Sequence, residues 1–253
     1  TILTAAEPLH VWDELPALSG VPKCRKLVER LSQLFPVHDE RVHIFHKSIA
    51  DWLTASPPYD DRDDESDFYV DCAEGHRSLA ATCAAGGGAY ATRWALHHCA
   101  EAGAWDAFER LATELTHLAA RFATGSGAAL ALDLGRAVGT PCAASVAQFE
   151  RLVLKEMPVL LREPGALPQL AFQQPDGSPV FATWRPQKGV RHVRWHNKPQ
   201  AEDPCVLTMQ FDGEVSGFAL SGGRYVVGAG KVVEVRDARN GERIEAFEGG
   251  SDV

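Results

Sequence analysis

The sequence has no apolar run approaching the roughly 18 residues that cross a bilayer. Its start, Thr-Ile-Leu-Thr-Ala-Ala-Glu, has no basic stretch of the kind that opens a secretory leader. It also lacks an initiator Met, so the expectation is a slice through a longer polypeptide. Cysteine is scarce: six residues in 253, with no C-x-x-C pair, fall far below a disulfide scaffold. Reduced thiols and a cytoplasmic location are therefore expected. Positive charge is short as well. The 25 Lys and Arg face 34 Asp and Glu, a formal −9, which weighs against a dedicated binder of nucleic acid or anionic membrane, since both partners demand a basic face.

Catalytic motifs are equally sparse. Gly228-Ala-Gly230-Lys231 fails as a phosphate loop. Tyr225 stands where the first Gly belongs, Val232 where a Ser or Thr should hold magnesium, and a strand rather than a helix follows. A turn between adjacent strands is the better reading. No G-x-S-x-G elbow places a nucleophile, and no H-E-x-x-H places a metal. His97-His98-Cys99 and the pair His43/His46 offer zinc-ligand types, but adjacent helical residues point about 100° apart. Packing or solvent is the expected environment, with no metal and no catalytic residue assigned.

What is present is 45% hydrophobic residues, enough for a sizeable core in one or two domains. The spacing predicts two short helices, a hairpin and a third helix over 1–53. Leu27, Val28, Leu31, Leu34 and Phe35 form one helical stripe, and Pro36 is expected to stop it. Val37 to Phe45 alternates about Asp39-Glu40, which reads as a β-wing, and Ile49, Trp52 and Leu53 mark the last helix. In 54–75, Pro57-Pro58 and the run Asp60–Asp67 read as a solvated acidic loop without the glycine and closing Glu of a calcium hand. Counting Asp71 and Glu74, eight acids against Arg62 put −7 of the formal −9 there.

Residues 76–174 read as a helical arm: helices at 76–83 and 89–102, a 3-4-3-4-3 stripe from Trp105 to Phe122, another helix within 125–140, and one opened by a Ser145-x-x-Gln148 capping box. Pro158, Pro164 and Pro168 should segment the rest. From 175 to 204 a basic linker carries Arg185, Lys188, Arg191, Arg194 and Lys198 with Trp184 and Trp195 between them. That mixture suits single-stranded nucleic acid, but the acidic total favours tryptophans that anchor a linker on its neighbour. Residues 205–253 alternate as strands at 206–209, 214–220, 224–227, 231–237 and 242–247, with Asn240-Gly241 a hairpin turn. The fold class expected is mixed and mainly α. In 1–53 the bases Lys23, Arg25, Lys26, Arg30, Arg41 and Lys47 are outnumbered by Glu7, Asp13, Glu14, Glu29, Asp39, Glu40 and Asp51, which suits a protein contact better than phosphate.

Three stretches carry a family likeness: Arg41-Val-His-Ile-Phe-His-Lys-Ser-Ile-Ala-Asp-Trp-Leu53, Phe68-Tyr-Val-Asp-Cys-Ala-Glu-Gly-His-Arg-Ser-Leu-Ala80 and Tyr90-Ala-Thr-Arg-Trp-Ala-Leu-His-His-Cys-Ala-Glu-Ala-Gly-Ala-Trp-Asp106. They resemble the region downstream of the nucleotide-binding core in STAND-class signalling ATPases, the NACHT or NB-ARC proteins that carry WD repeats. Trp195–Cys205 is similar to the segment leading into the propeller, and Val232–Gly241 to a WD-repeat strand and hairpin, with Arg236 where such repeats usually have Trp.

The resemblance implies a winged helix (1–53), an α-solenoid-like arm and the first blade of a β-propeller (205–253). In that family a His of the Met-His-Asp motif contacts the ADP β-phosphate. Phe45-His46-Lys47 occupies the matching place, so His46 is the candidate cofactor contact, the alternative being that it caps or packs under the wing. Lys47 stands where the family has Asp. The implied partners are the nucleotide-binding domain of the same chain, a protein ligand of the propeller and, on activation, further copies of itself, with neither membrane nor nucleic acid. ADP or ATP is expected in the parent chain. The phosphate loop and magnesium-binding acid lie outside these residues, so this stretch is expected to be no enzyme. The alternatives are a winged-helix nucleic-acid binder and a free-standing helical adaptor.

Overall fold

The computed structural model describes residues 1–55, 69–86, 88–186, 191–201 and 205–248. The acidic run Asp60–Asp67, Lys188 and the last five residues lie outside them. About 48% of the chain is helical, with a four-stranded antiparallel sheet at its C-terminal end, so the mixed, helix-dominated class expected from the sequence holds. The chain divides into two compact units, 1–111 and 112–253.

The first unit begins with β1 (Leu9–His10), α1 (Glu14–Ser19) and α2 (Cys24–Arg30), followed by β2 (Val37–His38), β3 (Arg41–Val42) and α3 (Lys47–Thr54). The three strands form one antiparallel sheet in the order β1-β3-β2. The tight turn works because Asp39 and Glu40 both adopt positive φ, 49° and 59°, the conformation a two-residue hairpin demands. Glu40 then ties the turn to β1. Its carbonyl accepts from the Val11 amide at 2.9 Å, and its carboxylate receives Trp12 Nε1 at 3.3 Å and His10 Nε2 at 3.1 Å. β1 had not been anticipated, because two residues carry no readable alternation. The stripe expected to run to Pro36 is shorter: α2 ends at Arg30, and the Leu31 amide is shared between the Leu27 and Val28 carbonyls, a tightening typical of a last turn.

α4 (Cys72–Ala84) starts at Asp71, whose carboxylate accepts from the Ala73 and Glu74 amides at 2.8 and 3.2 Å. α5 (Gly88–Glu101) packs on it as a helical hairpin, burying Leu79, Cys83, Tyr90, Ala95, Leu96 and Cys99. Gly103, at φ 64°, lets the Ala104 amide return to the Cys99 carbonyl at 2.8 Å. α6 (Trp105–Ala112) closes this unit. The unbroken 105–122 rhythm is not one helix, because Glu114 is extended (φ −90°, ψ 107°) and starts α7 (Leu115–Ala123) anew.

In the second unit α7 leads to α8 (Gly127–Gly135), where Asp133 meets Arg121 at 2.8 Å with Arg121 only 1% exposed. Gly127 is required here: a Cβ would lie 2.3 Å from the Phe122 ring. α9 (Ala143–Arg162) begins before the expected capping box, with Cys142 at its N-cap and no side-chain cap bond. It also runs through Pro158 instead of stopping there. Proline removes the donor that would bond the carbonyl four residues back. That carbonyl, Leu154 O, accepts instead from the Thr208 amide at 3.3 Å. The same bond explains why 206–209 is not a strand: the segment lies on a helix and pairs with no neighbouring strand.

A 3₁₀ turn (Pro164–Ala166), α10 (Leu167–Phe172) and α11 (Pro179–Thr183) follow, so the stretch foreseen as linker opens with a helix. The sheet at the end has the order β4-β5-β6-β7, formed by Val215–Ser221, Arg224–Ala229, Val232–Asp237 and Arg243–Glu248. Gly228 and Ala229 are the last residues of β5, and Gly230-Lys231 is the turn joining it to β6, with Gly230 at φ 59°.

Candidate functional site

His46 is the N-cap of α3. Its backbone is extended (φ −151°, ψ 145°), and Nδ1 accepts from the Ser48 amide at 3.2 Å and lies 2.8 Å from Ser48 Oγ. A neutral imidazole that accepts at Nδ1 carries its proton at Nε2. The exposed ring of His46 therefore offers a donor outward beside Lys47, also exposed, at a helix N-terminus where backbone amides favour anions. His43 lies edge-on to His38 beside the β2–β3 hairpin, ring centroids 5.7 Å apart.

Two apolar surfaces flank this position in the sequence. α3 buries none of its residues, and Phe45 and Trp52 stand 68% and 60% exposed. The shortened α2 stripe faces an open groove of ≈ 270 Å³ lined by Ile2, Leu15, Leu27, Leu31, Phe35 and Val70 among others.

The basic stretch divides. Trp184 packs on Phe172 (4.3 Å between centroids) and edge-on to His192 (5.0 Å). Gln169 exchanges two hydrogen bonds with the Val193 backbone at 2.8 and 2.9 Å. Lys198 pairs with Asp176 at 2.6 Å and sits 3.8 Å over the Phe181 ring. Arg185 donates to the Ala182 and Trp184 carbonyls. Trp184 is thus an anchor, and Arg185 and Lys198 are engaged by this chain. Arg191, Arg194 and Trp195 remain exposed.

The histidines of α5 hold what sequence reasoning missed. His76 of α4 lies 5.8 and 5.2 Å, centroid to centroid, from His97 and His98. One ring nitrogen from each of the three falls within 4.8 Å of the other two. His76 Nδ1 is 3.0 Å from His98 Nδ1, and His98 Nε2 is 2.8 Å from the Tyr90 hydroxyl, which accepts from the Ala6 amide at 3.0 Å. Burial pulls His98 down to about 3, helped by the neighbouring His97 and His76, so its ring is neutral. A readable signal existed: helices folding back at Gly86 bring mirror positions such as 76 and 97 together. Cys99 is not among the converging groups; it lies in the core, where burial raises its thiol to about 11.

No known protein family, curated protein or solved structure matches the chain. No helix among the described residues is long and apolar enough to cross a membrane.

Proposed function

We propose that this chain is a regulatory and scaffolding part of a STAND-type signalling ATPase. The observation that carries the reading is the first unit's order of elements. Two helices lie between β1 and β2, the sheet order is β1-β3-β2, and a histidine-capped helix follows the wing. This is the arrangement a winged helix would have, with His46 where the family's nucleotide-contacting histidine falls. In this reading Nε2 of His46 donates to an ADP phosphate when the nucleotide-binding domain of the same chain is closed. The exposed Phe45 and Trp52 and the α2 groove are the surfaces that domain would cover.

The C-terminal sheet supports a blade of a WD-repeat propeller. Its outer strands β4 and β7 are exposed along their whole length. Register places Val226, Val233, Val235 and Phe247 on one face and Phe218 and Leu220 on the other. A sheet apolar on both faces needs cover on both, which neighbouring blades supply. Arg236, in the position usual for Trp, bonds Glu234 at 2.7 Å and the Gly241 carbonyl at 2.8 Å and so braces the hairpin turn from beneath. Binding of a protein ligand to the propeller would shift the population from the closed to an open, self-associating state.

The test is to express the chain with its flanking reading frame and to extract bound nucleotide. Co-purified ADP, lost or reduced at least about tenfold in His46→Ala, supports the reading; a flanking frame that encodes no phosphate loop sinks it. One observation favours a second reading: the exposed side of α2 carries Lys23, Lys26 and Arg30. Salt-dependent retention of the chain on duplex DNA, lost on charge reversal at these three, would make it a winged-helix DNA binder.

A further inference from the structure

We propose that His76, His97 and His98 form a zinc site that staples the α4–α5 hairpin. Three imidazoles from two facing helices converge so that one nitrogen of each lies within 4.8 Å of the others. Zinc accepts imidazole nitrogen at about 2.0–2.1 Å, which in a tetrahedron puts ligand nitrogens about 3.3 Å apart. The 3.0 Å between His76 Nδ1 and His98 Nδ1 already approaches that spacing. His97 is only partly buried, so a turn of its ring brings the third nitrogen in. Three imidazole nitrogens as the ligand set suit zinc and its borderline neighbours and disfavour calcium or magnesium.

The surrounding hydrogen bonds fit the exchange. The Tyr90 hydroxyl accepts from Ala6 N–H and lies 2.8 Å from His98 Nε2, and a single proton bridges the 3.0 Å between His98 Nδ1 and His76 Nδ1. Metal takes the place of that proton. Each of these two histidines then carries its one proton on Nε2, and that of His98 faces the Tyr90 oxygen. No net proton is released. Tyr90 is fully buried and is the outer partner that fixes the orientation of a metal-bound imidazole. A fourth position is left to water.

The experiment uses the whole purified chain, stripped with chelator, titrated with Zn²⁺ by calorimetry and, separately, with Co²⁺ by visible absorption. Expected are one ion per chain, a rise in Tm with added zinc, and a cobalt spectrum without thiolate charge transfer. His76→Gln and His97→Gln should each weaken binding at least about tenfold, while Cys72→Ser leaves it unchanged. His98 is avoided because its replacement threatens folding. Circular dichroism verifies that the two variants are folded, and His97→Gln, at a half-exposed position, keeps the test open should His76→Gln unfold. Absence of stoichiometric binding, or binding unaltered in folded His97→Gln, or dependence on Cys72, each overturns the proposal.

Discussion

The α7–α9 helices and the C-terminal sheet belong to one compact unit yet treat apolar surface in opposite ways. The helices bury Leu118, Phe122, Leu130, Leu134, Phe149 and Leu160 and even take an ion pair inside. The sheet buries only Val227 and Ala229, and Phe218 stands 76% exposed. Burial contributes roughly 1.5–3 kcal/mol for a large apolar side chain, so the helices stand on their own contacts. The sheet retains the backbone ladder but collects little from its side chains. Phe218, Leu220 and Phe247 all stand at least half exposed. A region that closes over Arg121 is complete.

The largest expected effect breaks the helical side of this contrast. Arg121→Ala removes one half of a buried ion pair and should cost about 3–5 kcal/mol. Urea denaturation reads it, and a loss below about 1 kcal/mol would mean that the pair is not buried in solution. A middle-sized effect comes from His117 on α7. Burial, then the nearby Arg121 cation, lowers it to about 4, against the opposing pull of Glu114. A histidine depressed below its ordinary 6.5 stays neutral in the fold but takes a proton once unfolded. Stability is therefore full above pH 6.5 and falls as pH drops towards 4, at about 1 kcal/mol per pH unit from this group. His117→Gln should flatten that slope between pH 6.5 and 4.5; an unchanged slope would assign the acid sensitivity elsewhere. The smallest effect lies on the sheet. Phe218→Ser should move stability by less than about 0.5 kcal/mol, as exposed substitutions do. A loss above about 2 kcal/mol would show that something covers Phe218 in solution.

Local features were legible. The hairpin of β2 and β3 could be read because alternation and the turn at Asp39-Glu40 sit within nine residues, and the β6–β7 turn because Asn240-Gly241 marks it. The Gly103 helix stop needed only one left-handed position. What escaped depends on residues distant in the chain. Pro158 reads as a break unless Thr208 is known to satisfy Leu154. His97 and His98 read as diverging neighbours unless His76 is placed between them by the fold-back of α4 on α5. The stripe from Trp105 to Phe122 misled for another reason: periodicity records which residues face inward, and it persists across Thr113-Glu114 although the helix axis does not. For His46 the sequence offered two roles. The structure places it as the cap of α3.

The proline in α9 also bears on the order in which the chain acquires its structure. Leu154 emerges early in synthesis and Thr208 far later. Until the later segment arrives, the middle of α9 holds a carbonyl that its own helix cannot satisfy, and an unmet buried acceptor is costly. The helix is thus finished from outside. Formation of the stretch around Pro158 and docking of residues 205–211 become one cooperative event, and a nascent chain stopped short of Thr208 would carry a frayed helix where the complete one carries an unbroken run of twenty residues.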